Sequence, residues 1–351
     1  MAAQLAFASD YMEGAHPAIL KKLAETNLIK SAGYGLDEYS ETAREKIRKA
    51  CNAPEAEVHF LVGGTQTNAT VIGALLASYQ GVIAAETGHV SSHEAGAIEA
   101  GGHKVLTIPQ TDGKISAEKV EEVLNTFQED GNRDHMVMPG MVYISQPTEY
   151  GTLYNRQELE ALSKVCRSNG VPLYLDGARL AYALACPVKD VTLEDIAACC
   201  DAFYIGGTKC GALFGEAVVF PKPGLIPHFF TIVKQHGALL AKGRILGIQF
   251  DVLFENDLYE HIGEPAIAAA DKIREGLKEN GIELYLDAPT NQVFCVVENA
   301  FMEKLAQKVE FSFWEKKDET HTVIRFATSW ATTMEDVDEL IRWIEQKENR
   351  N

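Results

Sequence analysis

Leu173-Tyr174-Leu175-Asp176-Gly177-Ala178-Arg179 is a short apolar run that ends on an acid, a glycine and, two residues on, a base. Gly170 and Pro172, just upstream, stop the amphipathic helix expected over residues 156–169. A strand without polar alternation is buried on both faces, as strands are in parallel sheets covered by helices. The same pairing of apolar run and amphipathic segment repeats from about residue 56 to 220. Further strands are expected over 58–62, 82–84, 104–108, 141–144, 203–205 and 217–220, and a helix over 116–128 with Ser116 as its N-cap. Seven such strands make a large α/β domain on a mostly parallel sheet.

The C-terminal part changes rhythm. A long helix over 264–279 stops at Asn280-Gly281, a C-cap signal. Strands near 282–284, 292–297, 309–314 and 322–326 then alternate with helices over 300–307 and 334–345. This is a smaller α+β unit. The expected division is an N-terminal segment 1–15, a large domain 16–250 and a small domain 251–351.

At 351 residues the chain corresponds to about two domains of ~150 each. An apolar share of 46% excludes wholesale disorder and supplies a large core. The formal net charge of −18 repels phosphate backbones and anionic lipid, which argues against nucleic-acid and membrane partners. The seven cysteines include no C-x-x-C pair, so a zinc knuckle or dithiol motif is not expected. The N-terminus has no basic region ahead of an apolar one, and no apolar run approaches the ~18 residues of a membrane span. A cytoplasmic enzyme is expected.

Three motifs carry chemistry. Gly63-Gly64-Thr65-Gln66-Thr67-Asn68 opens a helix after the 58–62 strand. Its free N–H groups and positive dipole end suit a phosphate, with the Thr65 and Thr67 hydroxyls as further donors. A plain strand-to-helix turn has the same composition. Asp176 ends a parallel strand, facing the crevice where such sheets bind ligands. It reads equally as an N-cap paired with Arg179. Tyr204-Ile205-Gly206-Gly207-Thr208-Lys209-Cys210-Gly211 sets one lysine after an apolar strand among small residues. Desolvation there depresses the amine pKa and makes it nucleophilic toward an aldehyde, although most lone lysines are solvated loop residues. His89, in Thr87-Gly88-His89-Val90-Ser91, also follows a strand, although on spacing alone a lone histidine is more often structural.

The order of the three motifs is what matters. A phosphate turn, then a strand-end acid, then a strand-end lysine is the order required to hold pyridoxal 5′-phosphate. Neither G-x-G-x-x-G nor G-x-x-x-x-G-K-[ST] occurs, so dinucleotide and P-loop readings lack support. A non-catalytic binding protein on the same fold would not require Lys209, Asp176 and Arg325 together.

With these residues in place the sequence resembles the low-specificity L-threonine aldolases. They belong to the β-eliminating-lyase group of aspartate-aminotransferase-like pyridoxal-phosphate enzymes. The resemblance runs from Ala8-Ser9-Asp10 to the last helix, and Asp176-Gly177-Ala178-Arg179 with the downstream Lys209 carries it. It implies that Gly64 and Thr65 hold the phosphate, with Thr208 among the cofactor contacts and His89 stacked on the ring. Asp176 would pair with the pyridine nitrogen and Lys209 would form the Schiff base. Ser9, Arg179 and Arg325 would bind the amino-acid carboxylate. It also implies no metal, and a homodimer or homotetramer with the active site at the subunit interface.

Two departures stand out. Where that family commonly has Thr-His-Asn, this chain reads Pro147-Thr148-Glu149, which sets Thr148 near the place of a second histidine. The stretch His236 to Arg244 replaces a Gly-Gly-Gly-x-Arg-Gln run. The implied reaction is retro-aldol cleavage of L-threonine or L-allo-threonine to glycine and acetaldehyde. The base would be His89 or a water held by Thr148. Action on another β-hydroxy or β-substituted amino acid is the alternative.

Overall fold

The computed structural model describes residues 4–345. Residues 1–3 and 346–351, the outer ends of the expected N-terminal segment and small domain, lie outside the described residues. Strand β1 (Leu5–Ala6) comes first. Seven strands then build the large sheet: β2 (Glu57–Leu61), β3 (Gln80–Ala85), β4 (Val105–Ile108), β5 (Met138–Ser145), β6 (Leu173–Asp176), β7 (Ala202–Gly206) and β8 (Glu216–Phe220). Their spatial order is β2-β8-β7-β6-β5-β3-β4. Only β8 runs against its neighbours, so the sheet is mostly parallel, as expected.

Every residue of β6, β7 and β8 is buried. Successive side chains feed two cores on opposite faces. Val142, Ile144, Leu173 and Leu175 enter one, while Met141, Tyr143, Tyr174 and Tyr204 enter the other. The covering helices start where capping chemistry predicts. Ser116 accepts a bond from the Lys119 N–H at the head of helix Ala117–Glu129. Asn155 and Glu158 form a capping box on helix Arg156–Ser168.

The small domain holds β9 (Leu284–Leu286), β10 (Gln292–Glu298), β11 (Val309–Glu310), β12 (Ser312–Lys316) and β13 (His321–Ala327). Four of them form an antiparallel sheet in the order β12-β13-β10-β9. Two expectations shift. The strand expected over 309–314 is divided, because β11 pairs in parallel with β1 while β12 pairs with β13. The strand expected over 282–284 begins later. Gly281 (φ +66°) ends helix Glu264–Glu279, and the Ile282 N–H bonds back to the Leu277 carbonyl, which commits Ile282 to the cap. That helix links the two domains: Ala266 and Ile267 pack in the large core, Ala269, Ile273 and Leu277 in the small one.

Phe7 is buried edge-on to Phe326, 6.3 Å between ring centroids, so the N-terminal segment is tied to the small domain before it crosses the sheet's edge. All seven cysteines are free and buried. Among the described residues no helix is long and apolar enough to cross a membrane.

β6 and β7 approach so closely beyond Asp176 that a Cβ on Gly177 would lie 2.1 Å from the Tyr204 carbonyl oxygen. Backbone on both sides leaves nothing flexible to move. We expect Gly177→Ala to destabilise the protein by about 3 kcal/mol, the upper end of overpacking costs. The check is a lowered urea midpoint at unchanged slope, and an unchanged midpoint refutes the tight approach.

Candidate active site

Asp176 closes β6 level with Ser145 at the end of β5. Its carboxylate is buried and accepts four hydrogen bonds. Oδ2 takes them from the Tyr143 hydroxyl (2.6 Å) and Asn68 Nδ2 (2.9 Å). Oδ1 takes them from the Tyr204 hydroxyl (2.5 Å) and the Ala178 N–H (3.0 Å). Burial alone would raise its pKa, but the facing His89 and the Tyr143, Tyr204 and Asn68 bonds hold it below the ordinary carboxylate value.

Lys209 lies three residues past β7, in a hairpin that β8 returns from. Glu216, at the start of β8, accepts from the Gly207 N–H (3.1 Å) and the Thr208 hydroxyl (2.7 Å). The Tyr182 hydroxyl donates to the Lys209 carbonyl (2.6 Å). The lysine backbone is thereby fixed while its amine, 5.9 Å from the centroid of the Tyr11 ring, has no hydrogen-bond partner among the described residues. Burial first, then the Arg179 charge, push the amine pKa down. Burial raises Glu216 to about 8.

Helix Gly64–Leu75 points its N-terminus at the same place. The first N–H groups of a helix have no intrahelical acceptor, so those of Gly64 and Thr65 are free for an anion. A Cβ on Gly64 would stand 3.2 Å from the Tyr204 hydroxyl, which crowds the donor to Asp176. Thr67, expected as a further donor, has its hydroxyl buried without a partner among the described residues. His89 follows β3 and sets Nδ1 2.7 Å from Glu94 Oε1. A carboxylate only accepts, so Nδ1 carries the ring proton and Nε2 is left free. Asn68 joins the pieces, donating to both Glu94 (2.7 Å) and Asp176.

Gly64, Thr65, His89, Asp176, Lys209 and Glu216 line one cavity of about 300 Å³. A second cavity of about 450 Å³ adjoins it, sharing Tyr11, His89, Glu149, Arg179 and Lys209. Arg325, on β13, lines the second. Its Nη atoms donate to Gln292 (2.9 Å), Ser312 (3.0 Å) and the Ala8 carbonyl (3.1 Å), while Nε is buried with no partner among the described residues. Arg179 is gripped by Asp10 through Nε (2.6 Å) and Nη2 (3.0 Å). His93 bridges the two regions, stacked on His89 at 5.7 Å and on Trp314 at 6.2 Å.

The structure thus gathers Gly64, Thr65, His89, Asp176, Arg179, Thr208, Lys209 and Arg325 around two joined cavities. It does not bring Ser9 or Thr148 to either wall. Ser9 is flanked by Ala8 and Asp10, whose contacts with Arg325 and Arg179 replace it. Thr148 is buried with its hydroxyl 2.7 Å from that of Thr152 and backed by Gly113, so the substrate contact expected there is missing. Its neighbours in that turn line the cavities instead, Pro147 and Glu149 the first, Glu149 and Tyr150 the second. Sequence reading also missed Asn68, Glu94 and His93. Asn68 closed the quoted glycine-rich run, and Glu94 and His93 stand four or five residues past His89, a spacing that was the available signal.

Comparison with known proteins agrees with this geometry. The β-eliminating lyase family matches residues 6–300. The chain belongs to the β-eliminating lyase family. A low specificity L-threonine aldolase of Pseudomonas aeruginosa is 31% identical over 342 residues, covering 96% of each chain. The solved threonine aldolase of Leishmania major superposes with a TM-score of 0.94 at 41% identity, over 97% of this chain and 98% of that one. An aspartate aminotransferase of Thermus thermophilus shares the fold, with a TM-score of 0.73 at 16% identity over 98% and 91%. Lyases of this family depend on pyridoxal 5′-phosphate. The residues here fit that group: a free amine, a buried carboxylate opposite it, and a helix N-terminus whose first residue cannot carry a Cβ without crowding Tyr204.

The Asp10–Arg179 pair generates a pH prediction. Burial opposes the Asp10 charge, but Arg179 and Lys209 outweigh it and hold its pKa far below the ordinary value. A depressed folded-state pKa gives stability that is present above the unfolded value of ~3.9 and lost as pH falls toward the folded one. We expect Asp10→Asn to cost ~3–5 kcal/mol at neutral pH, since it leaves the Arg179 charge uncompensated, and to flatten the fall in stability below about pH 4. Urea unfolding at pH 3 and pH 7 checks both; an unchanged acid slope counts against the pair.

Proposed function

We propose that this lyase cleaves L-threonine and L-allo-threonine to glycine and acetaldehyde by a retro-aldol reaction. One observation carries the reading: the cavity holding Lys209, Asp176 and the Gly64–Thr65 turn opens directly onto a second walled by Arg325 and Arg179. Bound pyridoxal 5′-phosphate supplies the electron sink for the pair released from the Cα–Cβ bond. Lys209, its amine pKa lowered by burial, would be the group that bonds the aldehyde. Asp176, its pKa held down by its hydrogen-bond donors and His89, would keep a proton on the pyridine nitrogen. Gly64 and Thr65 would hold the phosphate, with Thr208 alongside, and His89 would lie against the ring.

Arg325 and Arg179 take the substrate carboxylate. Arg325 brings the guanidinium that lines the second cavity, and Arg179 brings the edge that Asp10 leaves free. Fixing the carboxylate fixes the rotation about the N–Cα bond, and so sets Cα–Cβ for cleavage. The volume of the second cavity and its walls of Tyr150, Phe313 and Trp314 favour a second reading, in which larger β-hydroxy amino acids, aromatic ones included, are also cleaved. Residues 1–15 serve the active site, 16–250 bind the cofactor and 251–351 shape the substrate cavity. The lyase works in the cytoplasm as a homodimer or homotetramer whose active site lies at the subunit interface. Exposed Leu28 and Leu36 (91% and 68%) support a surface that pairs.

Initial rates on L-threonine, L-allo-threonine and β-phenylserine, with the aldehyde and glycine identified, test the reaction. We expect Lys209→Ala to lose the visible, borohydride-sensitive absorbance and turnover together, since no other side chain can replace the amine. Asp176→Asn should keep the cofactor and lose at least ~10²-fold in rate, the scale for removing one preorganised electrostatic group. Normal turnover in either variant overturns the corresponding role.

A further inference from the structure

Five side chains line both cavities: Tyr11, His89, Glu149, Arg179 and Lys209. A substrate held through its amine at Lys209's end and through its carboxylate at Arg325's end has Cα and Cβ at that junction. A group that moves the β-hydroxyl proton must reach it there, so these five are the candidates. Arg179 is a guanidinium, which accepts no proton, and its fork is taken by Asp10. Lys209 would leave the aldehyde when the substrate amine takes its place, carrying the proton that the substrate's ammonium brings, and so would have no lone pair to offer. Tyr11 is 59% exposed, with its ring beside the lysine amine. His89 holds Glu94 through Nδ1, and a role against the cofactor would keep that ring in place.

Glu149 is the remaining one, and its geometry is that of a positioned base. Oε1 accepts from the Ser145 hydroxyl (2.7 Å) and the His89 N–H (2.9 Å). Those two bonds fix the carboxyl, and Oε2 has no hydrogen-bond partner among the described residues. Burial raises its proton affinity and Asp176 adds to the effect, while the Ser145 bond and His89 act against it; Arg179, Tyr143 and Tyr154 also feel its charge. The net is a carboxylate more basic than one in water, as a general base requires.

We propose that Glu149 is the catalytic residue that takes the proton from the substrate's β-hydroxyl, through Oε2. The inference rests on the retro-aldol reading. In the step it describes, the O–H pair becomes the second C–O bond of acetaldehyde as Cα–Cβ breaks. The Cα–Cβ pair stays with Cα and is drawn toward the cofactor ring. The proton gained by Glu149 is matched by the one Cα takes up to become glycine, so no net proton is released.

The test compares holoenzymes of the wild type, Glu149→Gln and Glu149→Asp in two reactions. One is cleavage of L-threonine and L-allo-threonine. The other is exchange of glycine's α-hydrogen for deuterium, which uses the same cofactor and carboxylate contacts but involves no β-hydroxyl. We expect Glu149→Gln to lose ~10²–10⁴-fold in cleavage kcat, the range for general-base removal, and to keep glycine exchange within about twofold. Glu149→Asp should recover part of the cleavage rate. A cleavage loss under about tenfold, or an equal loss in both reactions, overturns the assignment; the second result makes Glu149 a support for His89 through its N–H. A wild-type enzyme that exchanges glycine's hydrogen yet cleaves neither threonine overturns the retro-aldol reading itself, and this assignment with it.

Discussion

The buried negative charge of Asp176 is the constraint on which the site depends. An ionised carboxylate inside a sheet is tolerated only when its lone pairs are met. The four donors come from four places: Tyr143 on β5, Tyr204 on β7, Asn68 on helix Gly64–Leu75 and the Ala178 N–H in the loop that follows β6. The order β7-β6-β5 is therefore an electrostatic requirement as well as a topological one, because it sets two tyrosines on one face beside the acid. Asn68 extends the requirement to the helix whose N-terminus faces the cavity. The anion-binding end and the acid are held in one hydrogen-bonded frame, and removing a buried partner costs about 1–3 kcal/mol before any effect on chemistry.

Around that anion the chain gathers cations. Lys209, Arg179 and Arg325 share one region of low polarity, where burial and mutual repulsion depress the lysine and bring Arg325 to about 10. Asp10 relieves this by pairing with Arg179, and Asn291 steadies Asp10 from the small domain (2.9 Å). The N-terminal segment thus reaches the site as a counterion, anchored upstream by Phe7 in the small-domain core. A chain of net charge −18 nevertheless brings three cations to one site, where they can meet the carboxylate of a zwitterionic amino acid.

The parts of this arrangement set by local sequence were legible in advance. Each of the seven large-sheet strands is a short apolar run, and Asp176 and Lys209 follow directly from where two of them end. The helices at 264–279 and 334–345 could be bounded because Asn280-Gly281 and the period of apolar residues mark them. What could not be read is contact across the fold. Asn68 and Glu94 look like ordinary helix and loop polar residues until Asp176 and His89 are folded against them. Thr148 and Glu149 differ by one position in a turn, and in a turn a shift of one residue decides which side chain faces the cavity and which faces Gly113. The divided strand at 309–316 failed for a similar reason, since its two halves answer to different partners.

The two cavities separate two demands on the sequence. The first cavity is walled by the large sheet, its loops and helix Gly64–Leu75, with Tyr204 and Ala178 bonded to Asp176 and Thr208 to Glu216. The second is walled by β10, β12 and β13 on one side, and on the other by Tyr11 and large-domain residues such as Glu86, His93 and Tyr150. On β12 the register slips between Phe313 and Glu315, leaving Trp314 unpaired opposite β13. Such a bulge re-aims side chains, and here Phe313, Trp314 and Glu315 all face the cavity, where strict alternation would have turned the middle one away. Trp314 then stacks on His93 and lies beneath the Arg325 guanidinium, 5.9 Å from its ring centroid. An edge strand of the small domain can therefore change the shape offered to a β-substituent without disturbing a single bond to Asp176. The small-domain sheet lends walls to the second cavity alone, and the two cavities meet at the five side chains that both share.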